Sequence, residues 1–149
     1  MSTIRAITES RNIRMQPADA MHSGLGHGYT IRTDTDEICL LIEEGQLCCE
    51  ETGYLWSEED PSCFVGATLT KVTLTNTSLN TQRFPQPENP EPEIIFGRPE
   101  IFGERTNTVF VNLHTDRGTL QFVAYNTHTG AYGHTVWIQC RQLTHQEEI

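Results

Sequence analysis

The stretch richest in groups that could do chemistry is Asn126-Thr127-His128-Thr129-Gly130-Ala131-Tyr132-Gly133-His134. It sets amide, hydroxyl, imidazole and phenol groups between glycines that let a ligand approach the backbone closely. Such a loop suits recognition of a small polar molecule, with Tyr132 offering a flat face on which a base could stack. His114 and Arg117 lie just upstream on the same predicted hairpin, so the candidate binding residues are His114, Arg117, Asn126, His128, Tyr132 and His134. The competing reading of the loop is an ordinary long hairpin connection.

Metal chemistry has less to stand on. His114, His128 and His134 could converge from neighbouring strands, but zinc sites usually show two ligands at short fixed spacing, and none occurs here. Cys48-Cys49-Glu50 falls on a predicted strand, which puts Cys48 and Glu50 on one face and Cys49 on the other. Two such thiols cannot readily chelate one ion, so they read as structural small apolar groups. No phosphate-cradling loop, nucleophile elbow or dinucleotide fingerprint is present. The sequence therefore names no catalytic residue, no metal and no cofactor.

The elements that must hold these residues are mainly strands. Tyr29 to Thr33 and the apolar run Ile38-Cys39-Leu40-Leu41-Ile42 read as strands, the second covered on both faces. Gln46 to Glu50 reads as a returning strand, and Tyr54 to Pro61 as a short helix or loop. Ala67 to Thr75 is rich in β-branched residues, with Leu69 out of phase with Val72 and Leu74, which predicts a bulge near Thr70-Lys71. A two-residue turn at Asp116-Arg117 places Leu113 opposite Leu120 and Val111 opposite Phe122. His134 to Cys140 then supplies the third strand of an expected meander, turning Val136, Ile138 and Cys140 to one side.

The expected architecture is mainly β, a small antiparallel sheet, barrel-like or sandwich domain. Residues 1–27 read as a polar arm and 28–149 as one antiparallel domain. Five of the seven prolines fall in residues 76–107, an insertion that also carries the echo Ile94-Ile95-Phe96-Gly97-Arg98 and Ile101-Phe102-Gly103-Glu104-Arg105. Its apolar residues, Ile94 to Phe102, would cover a sheet edge or contact a partner.

With 20 acidic against 10 basic residues the chain carries a formal charge of -10. That field opposes nucleic-acid polymers and anionic membranes. No stretch approaches the roughly 20 apolar residues of a membrane helix, residues 1–19 lack a signal-peptide core, and five cysteines without C-x-x-C spacing suit a reducing compartment. Cytoplasmic is the expectation.

Strand, Gln46-Leu47-Cys48-Cys49-Glu50, Val65-Gly66-Ala67 and a final Gly130-Ala131-Tyr132-Gly133-His134 loop together resemble a family of small phage and bacterial proteins, a domain of unknown function. The resemblance spans residues 28–140 outside the insertion, with Val65-Gly66 in place of Ile-Gly and Gly130-Ala131-Tyr132 in place of Asn-Gly-Tyr. It implies an accessory β-protein, in a phage setting one that counters host defence by sequestering a nucleotide signal or by blocking a host protein. The leading expectation is thus a non-enzymatic binder of a small polar ligand, with Arg98, Arg105, Arg117 or Arg141 compensating any phosphate and a homo-oligomer compatible with it. The alternatives are an acidic inhibitor of a host protein and a metal- or histidine-assisted hydrolase.

Overall fold

The computed structural model describes residues 2–14, 25–44, 51–85, 94–95, 98–99, 105–128 and 133–149. Cys48, Cys49, Tyr132 and residues 86–93, 96–97 and 100–104 of the proline-rich segment lie outside them, as do the side chains of residues 14, 51, 94–95, 98–99, 105–106 and 128. The strands are β1 (Ser2–Arg14), β2 (Leu25–Thr33), β3 (Glu37–Glu43), β4 (Glu51–Trp56), β5 (Thr68–Thr75), β6 (Ile94–Ile95), β7 (Arg98–Pro99), β8 (Arg105–Thr115), β9 (Gly118–His128), β10 (Thr135–Gln139) and β11 (Thr144–Glu148). Nine of them form one antiparallel sheet in the order β11-β10-β3-β2-β1-β5-β8-β9-β4, which does not close into a barrel.

The sheet bends at β1. From Ile4 to Arg14 this strand pairs with β2, whereas Ser2 and Thr3 pair with β5. Register shifts at Ile4/Ala6 and Ser10/Ile13, with Asn12 in the left-handed region (φ 56), mark bulges of the kind that twist a strand away from flatness. Both halves feed one core. Ile31, Ile38, Leu40, Ile42, Val136 and Ile138 come from one side, and Val111, Leu113, Leu120 and Phe122 from the other. All ten are fully buried.

The hairpin β8–β9 has the expected register, Leu113 opposite Leu120 and Val111 opposite Phe122. β5 meets β8 with a slip between Leu69 and Lys71, the bulge that the apolar phase demands. In β3 both faces are covered, since Leu41 is as buried as Leu40 and Ile42.

Three expectations are corrected. Residues 2–14 are no loose arm but the strand on which the sheet turns, because Ile4 has a core site (1% exposed) despite its polar neighbours. Tyr54 to Trp56 belongs to β4, and a 3-10 turn, Pro61–Phe64, capped by Asp60, follows it. The meander stops at two strands. β10 crosses to the other half and pairs with β3, placing Val136 beside Ile42 and Ile138 beside Leu40. The free edge of that apolar strand needs a partner with the same inner face, while β4 takes the edge of β9.

The outer face of β8 and β9 is partly roofed by residues 77–84. Phe84 packs edge-on against Phe110 (5.9 Å between centroids) and lies 5.5 Å from the Tyr125 ring. Gln121 locks the roof: its Oε1 accepts from Leu79 N, and its Nε2 donates to Thr77 O and Asn112 Oδ1. The start of the proline-rich insertion is therefore a cover for the sheet.

Candidate functional site

Of the six candidate residues, the four whose side chains are described, His114, Arg117, Asn126 and His134, fall into two groups. His114 and Arg117 sit at the turn end of the β8–β9 hairpin, whereas Asn126 lies seven residues further along β9 than Thr119, the partner of His114. At about 3.3 Å per residue the two groups are roughly 23 Å apart.

The far group is structural. His134 is fully buried, its backbone N–H and C=O pair with Ile149 (2.8 Å each), and its Nδ1 donates to Glu43 O at 3.0 Å. Because a carbonyl only accepts, Nδ1 must carry the hydrogen. Asn126, also fully buried, donates through Nδ2 to Ile149 O at 3.0 Å. Together these residues bind the end of the chain to the sheet. The His128 side chain and Tyr132 lie outside the described residues.

Arg117 is also committed. Its Nη1 donates to Cys63 O and Val65 O, both at 3.1 Å, and so braces the segment between the 3-10 turn and β5. Gly66 makes room for it, since a Cβ there would stand 3.3 Å from the guanidinium.

His114 is different. It points from the outer face of β8, half-buried, with a hydroxyl against each ring nitrogen: Thr73 Oγ1 lies 2.9 Å from Nε2 and Thr119 Oγ1 lies 3.4 Å from Nδ1. Lys71, exposed, is its register partner on β5 and shares its face. The row Lys71, Thr73, His114, Thr119 lies beside the roof of residues 77–84 and is partly exposed among the described residues. It offers one cation, two hydroxyls and an imidazole whose tautomer can adapt to a donor or an acceptor.

A family model for a domain of unknown function, DUF7448, matches residues 11–138. The chain belongs to the DUF7448 family. No curated protein and no solved structure matches it. The match reaches further towards the N-terminus than the resemblance over 28–140, taking in the later part of β1 of this DUF7448 member.

A cleft of about 390 Å³ opens elsewhere on this DUF7448 chain, lined by Asp36, Glu37, Cys39, Gln139, Cys140 and Arg141. Asp36 builds it, accepting from Arg141 N at 2.9 Å and from Glu37 N at 2.8 Å. Burial pushes both thiols above their ordinary value, so Cys39 and Cys140 stay protonated and are poor nucleophiles at neutral pH. Of the arginines expected to meet phosphate, Arg141 lines this cleft and Arg117 does not. Arg98 and Arg105 have side chains outside the described residues.

Sequence reasoning missed Lys71, Thr73 and Thr119. The signal was present in the bulge, because the slip at Thr70 decides which β5 side chains stand beside His114. Among the described residues no helix is long and apolar enough to cross a membrane.

Proposed function

We propose that this DUF7448 protein is a non-enzymatic binding protein for a small polar ligand, with a phosphate-bearing nucleotide as the class to test first. The observation that carries the reading is the partly exposed row around His114. Its two ring nitrogens each face a hydroxyl, and Lys71 stands opposite in register. The row supplies donors for oxygen atoms and one positive charge on a chain whose net charge is -10. The net charge of -10 favours a small anion with local compensation over a polyanion. Sequestration of a nucleotide-derived signal, in a phage setting, is the biological form this reading takes.

The test is calorimetric titration with nucleoside mono-, di- and cyclic phosphates, followed by heat release and chromatography of whatever was bound. Intact ligand is the expected recovery. An altered ligand would make the protein an enzyme, and failure of every nucleotide class to bind would remove the nucleotide reading. Lys71→Ala and His114→Ala should each weaken binding by roughly ten- to a hundredfold, the value of one hydrogen bond to a charged oxygen.

A further inference from the structure

β11 stands at one end of the sheet, and among the described residues no strand lies beyond it. The opposite end is partly blocked, since Arg83 Nε donates to Trp56 O at 3.0 Å and Asn80 Nδ2 to Ser57 O at 2.8 Å. β11 thus presents an edge of backbone donors and acceptors over five residues, the template on which another strand adds. We propose that its occupant is β11 of a second copy of this chain, paired antiparallel about Gln146, so that two sheets become one.

The register follows from symmetry and charge. Two identical antiparallel edges are related by a two-fold axis perpendicular to the sheet, so opposed residues must share a face. Centring the axis on His145 opposes histidine to histidine, and centring it on Glu147 opposes glutamate to glutamate. Centring it on Gln146 uses all five residues, places Thr144 opposite Glu148, and opposes His145 to Glu147 twice. Within one chain His145 Nε2 already lies 3.2 Å from Glu147 Oε2, so both side chains occupy one face. Across the axis each imidazole gains a second carboxylate, and no like charges stand directly opposed. On the other face the two Gln146 amides meet, each able to donate to the other.

Sedimentation equilibrium of the full chain, from about 1 to 200 µM, spans the range in which a modest interface of this kind dissociates. A monomer–dimer equilibrium is expected. His145→Glu opposes two glutamate pairs and Glu147→Lys opposes lysine to histidine, so each should weaken the dimer by about tenfold or more. The double variant restores opposite charges across the axis and should recover the dimer. Far-UV circular dichroism establishes that each variant is folded; if one of the single variants is not, the other decides. A monomer throughout the range overturns the proposal, and so does a dimer indifferent to both single substitutions.

Discussion

Tyr54 on β4 donates its phenolic hydrogen to Glu9 on β1 across 2.6 Å, tying the last strand of one half of the sheet to the strand on which the sheet bends. The Tyr54 ring also meets His27 edge-on at 5.0 Å and Tyr29 at 5.7 Å, so the bond sits at the rim of an aromatic cluster. Two halves of a bent sheet that share one core need such ties where the bend leaves them open.

The pair should leave a mark at both ends of the pH scale. The hydrogen bond from Tyr54, then that from Arg11, holds the Glu9 carboxyl below its ordinary value, so its contribution is lost as pH falls below about 4.5. Burial and then Glu9 push the Tyr54 phenol upward, so its contribution is lost as pH rises past 10. Tyr54→Phe should cost about 1 kcal/mol at neutral pH and flatten both limbs. Urea denaturation between pH 3 and 11 measures this. A variant retaining the wild-type pH profile would show that the bond is idle.

Gly28 cannot be replaced. A Cβ there would collide with the backbone carbonyl of Leu40 and approach Leu41 Cα at 3.2 Å, and its φ of 154 is one that side chains rarely adopt. The obstacle is backbone in the middle of the sheet, so nothing can swing aside. Gly28→Ala should destabilise by roughly 3 kcal/mol or more. Chemical denaturation with an unchanged midpoint would contradict the close approach of β2 to β3.

Two of the candidate histidines, His114 and His134, should behave oppositely. His134→Ala removes a fully buried ring and leaves Glu43 O without that donor, a loss of roughly 2–4 kcal/mol in thermal or denaturant melts. His114→Ala removes a half-exposed ring between hydroxyls and should cost less than about 1 kcal/mol. Nucleotide titration should show the reverse, with the loss confined to His114. Equal stability losses would mean that the His114 row is also scaffold.

Phe84 tests the roof. Truncation to Ala withdraws the ring from Phe110 and Tyr125 and should cost roughly 2 kcal/mol for a half-buried aromatic. Limited proteolysis should then cut within residues 79–84 well before the sheet opens. If the cleavage rate stays at the wild-type level, the roof is held by its hydrogen bonds to Gln121, Trp56 and Ser57 and not by the Phe84 ring.

The strands legible in the sequence were those with an apolar period. Val111 and Leu113 against Phe122 and Leu120 give β8–β9 its register, and the phase slip at Leu69 gives the bulge. β1 was hidden because the sheet buries Ile4 fully but leaves Arg5, Thr8 and Glu9 in solvent, so no alternation shows over Ser2–Arg14. The partner of β10 was hidden for another reason. Alternation reports which face is buried and says nothing about whether the neighbour is β9 or β3. The candidate site suffered from that gap. Asn126 and His134 were grouped with His114 by closeness in sequence, whereas the crossing of β10 turns them into anchors for Ile149.

The same crossing has a cost during synthesis. β3 is complete by residue 43, yet the strand that covers its second edge begins at Thr135. At ribosomal speeds of about 5–20 residues per second, the nascent chain waits roughly 5–20 s with an apolar edge uncovered. Leu41 and Ile42 spend that interval as an invitation to pair with a neighbouring nascent chain. Whatever shelters the growing chain over that interval therefore acts before the stability of the finished sheet can.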